Sequence, residues 1–306
     1  MASRDYCGIA RQYAADVLGG KIPACKWVKL AVDRQLTDLK TYAGDRSLYV
    51  FDENEANRVC KFIELLTHTK GELAGTRIHL EPWQVFILTT VFGWLRRADG
   101  GRRYRRAYVE VPRGNGKSTL LSGVGLYCLV ADREGGAEVY SFATTRDQAK
   151  IVFGDAKVMA ERNAPLRNKF GLQVLANALY VPTSNSTFQA KSAEGSTLDG
   201  LNTHLAIIDE LHAHKTRAVY DVVETSTGKR KNSLMFVITT SGFDTSGICY
   251  EVRTMVTKVL EKSVVTRRSS GSSTVWTTAT TGRRSRLWRR RTRTGASPSG
   301  RKSLRP

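Results

Sequence analysis

"VEVPRGNGKSTL", residues 109–120, is the stretch on which the fold turns. It begins as an apolar run, passes through a glycine-bearing turn and opens into "LLSGVGLYCLVA" at 120–131. That segment is broken by glycines and falls short of the ~18 residues a membrane span needs, so it reads as a buried helix. A loop that holds a nucleotide triphosphate needs small residues, so that successive N–H groups face the phosphates. It also needs a lysine for the terminal phosphate oxygens and a hydroxyl for Mg²⁺. Gly116, Lys117 and Ser118 supply the second half of that pattern, and the helix N-terminus adds partial positive charge. Val111 stands where G-x-x-x-x-G-K-[ST] has its first glycine. The fragment alone therefore leaves two readings open, a phosphate loop or an ordinary glycine turn before a helix.

The acids that such a loop requires stand far downstream, in "LAIIDELH" at 205–212. An apolar run ending in two carboxylates places both at the carboxyl end of a parallel strand, beside the loop. There Asp209 holds Mg²⁺, through water or with Ser118, and Glu210 polarises the attacking water. An acid pair at a strand end also serves as a helix cap. The loop upstream, a strand and a helix between, and the acids downstream together point to ATP hydrolysis. "VITTSG" at 237–242 ends a further run with Thr239, Thr240 and Ser241, hydroxyls that sense a γ-phosphate or simply close a turn. Trp83 and Gln84 are candidates for the adenine side, since an amide reads N6 and N7 together, although a tryptophan is also ordinary core. Arg113, within the loop, is a guanidinium able to stabilise charge on the departing phosphoryl group. Gly114, Asn115 and Thr119 complete the set expected around the phosphates.

Around these motifs, strand-like runs at 107–111, 137–143, 204–209 and 234–240 alternate with helix-like segments at 117–131 and 146–162. Near-continuous apolar strands separated by amphipathic helices predict an α/β domain, a mostly parallel sheet flanked by helices. A polar hairpin or loop is expected at 179–192. Upstream, residues 5–40 carry helical periodicity interrupted by "GGKIPA", and a helix capped by Asp52 is expected over 53–67. "LEPWQVFILTTVFGWL" at 80–95 reads as a core helix with Pro82 in its first turn.

The net charge of +20 suggests a polyanionic partner. Its distribution is uneven, because no Asp or Glu follows Glu261 while twelve Arg and Lys lie between Arg267 and Arg305. Residues 263–306, rich in Ser, Thr, Gly and Arg without period, are expected to be disordered, either a basic arm for DNA or a solvated tail. Five cysteines scattered without a C-x-x-C pair argue against a disulfide framework or thiolate metal site. His212 and His214, two apart, lack a third ligand nearby in sequence and are not expected to bind metal. No apolar stretch follows the N-terminus, so the expectation is a cytoplasmic protein.

In this order, "GKIPACKWVKLAVDRQLTDL", "YVFDENEANRVCKFIELL", "LEPWQVFILTTVFGW", "VPRGNGKSTL", "ATTRDQAKIVFGDAK", "LDGLNTHLAIIDELHAH" and "VITTSGFD" resemble the large terminase subunit of tailed double-stranded DNA bacteriophages. The resemblance runs from about residue 10 to 262, and the loop without its first glycine looks like that family's own form. It implies a P-loop NTPase fold of the ASCE type, with an N-terminal helical region over 1–74, an ATPase domain over 75–262 and a basic tail over 263–306. ATP and Mg²⁺ are the implied ligands. Lys117 and Ser118 map onto phosphate and Mg²⁺ binding, Asp209 onto the metal, Glu210 onto catalysis and Thr239 to Gly242 onto coupling. Glu81, Trp83 and Gln84 map onto the adenine side, and Arg113 onto an arginine finger acting on its own or a neighbour's nucleotide. The implied partners are double-stranded DNA, the portal protein, the small terminase subunit and further copies in a ring, at the procapsid portal in the host cytoplasm and away from membranes. Such proteins continue into a nuclease domain whose acids hold two metal ions. With no carboxylate after Glu261, cleavage by this chain is not expected, and a reading-frame shift near 262–270 is the expected cause. A non-catalytic remnant that binds nucleotide or DNA, and a helicase-like ATPase without a capsid, are the competing classes.

Overall fold

The computed structural model describes residues 4–192, 200–240, 246–263 and 273–278. The chain opens with helices α1 (Tyr6–Leu18) and α2 (Lys26–Thr41), the short strand β1 (Tyr49–Phe51), and helices α3 (Glu53–Glu64) and α4 (Pro82–Gly93). Strand β2 (Trp94–Arg96) pairs antiparallel with β1 as a small separate sheet. The cap expected for α3 is present: the Asp52 carboxylate accepts from the N–H groups of Asn54 (2.8 Å) and Glu55 (3.1 Å). The helix stops at Glu64, slightly short of expectation. Pro82 occupies the first turn of α4, where Glu81 and Gln84 form a reciprocal capping box, and nearly every residue of that helix is buried.

Strands and helices then alternate: β3 (Tyr104–Glu110), α5 (Lys117–Val130), β4 (Glu138–Ala143), α6 (Arg146–Glu161) and α7 (Ala164–Phe170). After these come β5 (Gln173–Val174), β6 (Leu179–Val181), β7 (Ser186–Ser192), β8 (Thr203–Asp209), α8 (Ala218–Ser226), β9 (Leu234–Thr239), α9 (Ile248–Leu260) and β10 (Ser273–Thr278). One eight-stranded sheet runs in the order β10-β3-β9-β8-β4-β7-β6-β5, parallel from β10 through β7, with β6 and β5 antiparallel at the far edge. The hairpin expected at 179–192 forms as β6 and β7, and its second strand enters the main sheet beside β4. Part of the tail expected to lack structure is instead strand β10, parallel to β3; the remainder of that expectation lies outside the described residues.

Because side chains alternate along a strand, each central strand feeds two cores. Leu205 and Ile207 of β8, with Leu234, Phe236 and Ile238 of β9, face the core shared with α3, α4, α5 and α6. Ala206, Ile208, Met235 and Val237 face the other core, covered by α8 and α9. That is why the runs read as continuously apolar. The N-terminal helices share the first of these cores: Val17, Val28 and Ile63 cluster with Leu121 and Val124 of α5. Gly125 lets α5 approach the sheet, since a Cβ there would lie 2.6 Å from Cε1 of the fully buried Phe188. Between the small sheet and β3, the Arg103 guanidinium sits 4.4–4.8 Å from the ring centroids of Tyr42, Tyr49, Trp94 and Tyr104 and pairs with Asp38 at 2.9 Å.

Candidate active site

The carboxyl ends of three neighbouring strands, β3, β9 and β8, lie side by side at one end of the sheet. The Val111 N–H donates to the Thr239 carbonyl at 2.9 Å, closing the last pair of the β3–β9 ladder, so Val111, the first residue after β3, is still tied to the sheet. The left-handed positions of the turn that follows are Gly114 (φ 79°) and Gly116 (φ 69°). A valine at the first-glycine position is therefore compatible with the turn, because the backbone freedom is needed further along. Asn115 Nδ2 braces the loop by donating to the carbonyls of Pro112 (3.0 Å) and Arg113 (3.3 Å). Gly116 is the N-cap of α5 and leaves that helix's first N–H groups facing the loop. Lys117 is buried, Ser118 and Thr119 are half-buried in the first turn of α5, and Arg113 is exposed.

The acids arrive from β8. Asp209 is its last residue, and Glu210 follows in the left-handed region (φ 52°, ψ 51°), rare for a residue with a Cβ. The Glu210 N–H donates to the Ile238 carbonyl at 2.9 Å, so the turn is pinned to β9. Lys117 Nζ lies 2.8 Å from Glu210 Oε1, an ion pair between residues from opposite ends of the motif set. The other carboxylate oxygen, Oε2, faces His212 Nδ1 at 3.1 Å and the Thr240 hydroxyl at 3.4 Å. Burial alone would raise the Glu210 pKa, but the Lys117 hydrogen bond and charge, helped by His212, outweigh it and hold the carboxyl below its usual range. Asp209 is pushed the other way, up to about 6, by burial first and the neighbouring Glu210 second, with Lys117 opposing. Two adjacent carboxyls with pKa values driven apart are the arrangement expected of a reactive site.

Of the other residues singled out in the sequence, Gln84 reaches the loop: its Nε2 lies 3.7 Å from where a Cβ on Gly116 would sit. Its Oε1 accepts from the Glu81 N–H at 3.0 Å, so the amide's orientation is fixed by the cap of its own helix. Trp83, beside it, is buried in the core. Thr239 is fully buried at the end of β9, Thr240 follows, and Ser241 and Gly242 lie outside the described residues. Missed in the sequence was His212, weighed there only as a metal ligand; it bridges Glu210 and Thr239. The available signal was its place two residues beyond the acid pair, in the short turn Leu211–Ala213.

Asp209 Oδ1 is buried without a hydrogen-bond partner among the described residues. An orphaned carboxylate oxygen beside a lysine and the hydroxyl-bearing first turn of α5 suits a hard, oxygen-seeking cation such as Mg²⁺. A second group able to hold a metal comprises Cys128, Asp132 and His204. It sits at the opposite end of the sheet, where His204 near the start of β8 contacts Asp132 at 2.8 Å. Arg102 grips that carboxylate through two contacts, at 2.9 and 2.7 Å, so a guanidinium already fills the place of a cation.

The description of a protein-family model, "Terminase large subunit, ATPase domain", fits residues 82–258, more than half of the 306. The chain belongs to the terminase large-subunit ATPase family. It is 31% identical over 187 residues to the terminase large subunit of Enterobacteria phage HK97, covering 60% of this chain and 36% of that protein. It is also 26% identical over 234 residues to the terminase large subunit of Lactococcus phage p2, covering 73% of this chain and 41% of that one. Among solved structures, the crystal structure of the HK97 large terminase superposes with a TM-score of 0.57 at 27% identity, over 68% of this chain and 42% of that one. The terminase chain described here thus spans about two fifths of the length of these relatives. No described helix is long and apolar enough to cross a membrane.

Proposed function

We propose that this terminase ATPase domain binds ATP with Mg²⁺ and hydrolyses it to drive double-stranded DNA into a procapsid. The observation that carries the reading is the meeting of Lys117 Nζ with Glu210 Oε1 at 2.8 Å, beside the orphaned Asp209 Oδ1. The lysine and the adjoining acid pair come from separate parts of the chain and meet where a phosphate loop ends. Lys117 and the N–H groups around Gly114 and Gly116 hold the phosphates, and Glu210 accepts a proton from the attacking water. Ser118 and Asp209 are the residues that would hold Mg²⁺. When bound, that ion neutralises charge on the β- and γ-phosphates. Gln84, with Trp83 behind it, faces the base; Arg113 offers its exposed guanidinium to the phosphates of this subunit or a neighbouring one. Thr239 and Thr240, with Ser241, couple phosphate loss to movement of β9. The working unit is residues 75–262, acting in a ring with the portal protein and small terminase subunit in the host cytoplasm.

The test is ATP turnover by the purified chain. Turnover should require Mg²⁺ and vanish with EDTA, Lys117→Ala should lose nucleotide binding, and Glu210→Gln should bind nucleotide while kcat falls by about 10²- to 10⁴-fold. Turnover indifferent to both substitutions refutes the site. A second reading, nucleotide or DNA binding without turnover, is favoured by one observation: Lys117 is already engaged by Glu210. Tight ATP binding by a folded protein with no measurable hydrolysis would select it.

A further inference from the structure

We propose that His212 is a positioning residue. It holds Glu210 in place for the water once Lys117 has left for the phosphates, and it ties that carboxylate to Thr239. The inference rests on the hydrolytic reading of Glu210 given above.

Lys117 bonds Glu210 Oε1 at 2.8 Å while also being the residue that serves the phosphates. A triphosphate with its several oxyanions draws the ammonium away, and Glu210 then loses its strongest partner. A base that must aim at one water needs its carboxylate plane fixed. Among the described residues, the contacts left include His212 Nδ1 at 3.1 Å and the Thr240 hydroxyl at the long distance of 3.4 Å, both on Oε2, and a hydrogen bond from the Thr240 backbone. Of the two side chains, His212 is the better placed.

A carboxylate oxygen can only accept, so the contact of Glu210 Oε2 with His212 Nδ1 calls for a proton on that nitrogen. The Thr239 hydroxyl lies 2.9 Å from the Thr240 carbonyl, which can take its proton. Its lone pairs are then free to accept, from the His212 backbone N–H at 3.2 Å and from the ring Nδ1 at 2.9 Å. Nδ1 is therefore a donor, shared between Thr239 Oγ1 and Glu210 Oε2. The anchor is rigid: Leu211, next to His212, is fully buried, as is Thr239, whose carbonyl takes the Val111 N–H at the root of the phosphate loop. Through His212, the orientation of Glu210 is linked to the end of β9 and to the loop strand.

The experiment compares ATP turnover and equilibrium binding of a fluorescent ATP analogue for the wild type, His212→Ala, His212→Asn and His212→Gln, with Glu210→Gln as reference. An asparagine amide reaches the place of Nδ1, whereas a glutamine amide reaches that of Nε2. Expected are a kcat about 10- to 100-fold lower for His212→Ala at unchanged nucleotide affinity, recovery with Asn, none with Gln, and no added loss when His212→Ala is combined with Glu210→Gln. A kcat unaffected by His212→Ala, or a loss appearing equally in affinity, overturns the proposal. A normal rate for Glu210→Gln refutes the hydrolytic reading itself. Independently of turnover, ¹⁵N NMR of the His212 ring should report the Nδ1–H tautomer in the nucleotide-free protein, and a proton found only on Nε2 overturns the proposal even if the chain proves catalytically silent.

Discussion

Asp209 shows what a single atom contributes. Its carboxyl is held up to about 6, chiefly by burial, against a usual 3.8. The folded protein therefore binds this proton more tightly than the unfolded chain between those two values. The stabilisation is fully present below pH 4 and is lost as pH rises through 6, a cost on the order of 3 kcal/mol at neutral pH. Without nucleotide or metal, Asp209→Asn should raise the thermal midpoint at pH 7 and leave it nearly unchanged at pH 4. The same variant should lose Mg²⁺-dependent nucleotide binding, and calorimetry at the two pH values reads both effects. Equal midpoints for the two proteins at pH 7 would remove burial of a strained carboxylate from the account. Lys117, Asp209 and Glu210 were legible in the sequence because order along the chain and position at strand ends define them. His212 was not, because its role exists only where a turn after β8 meets hydroxyls at the end of β9.

At the scale of elements, α5 is set against the sheet by Gly125 and braced at its far end by the Arg102–Asp132 pair. Gly125→Ala forces a methyl into Phe188, and the expected loss is about 1–3 kcal/mol in chemical denaturation. Because Lys117 begins the same helix, nucleotide affinity should fall with it. Asp132→Ala leaves the buried Arg102 without its anion, with an expected loss of about 3–5 kcal/mol. The usual tendency of burial to raise a carboxyl is overcome here by Arg102 and His204, which hold Asp132 below its ordinary range. Added Zn²⁺ should not change the melting of the wild type, since the guanidinium is already in place; a Zn²⁺-dependent rise would show a metal centre instead. The parallel strands were readable as apolar runs, since both faces of each are buried. Strand β7, "STFQAKS", was not readable as an interior strand, for its polar residues look like those of a loop.

At the scale of the molecule, β10 follows from pairing across the whole chain rather than from local pattern. "STVWTT" carries β-formers, but nothing nearby tells it to run alongside β3, more than 160 residues earlier. Ending the chain after Ser263 would leave the backbone of β3 without this neighbour, and the expected result is concentration-dependent self-association in sedimentation velocity. A truncated protein that stays monomeric and well folded would show that the edge is protected otherwise. Direction matters as much as coverage. Parallel to β3, the last described strand brings Thr278 level with Glu110, at the strand end from which the loop leading to Lys117 departs. Any change to β10 is thus felt first beside the loop that carries Lys117.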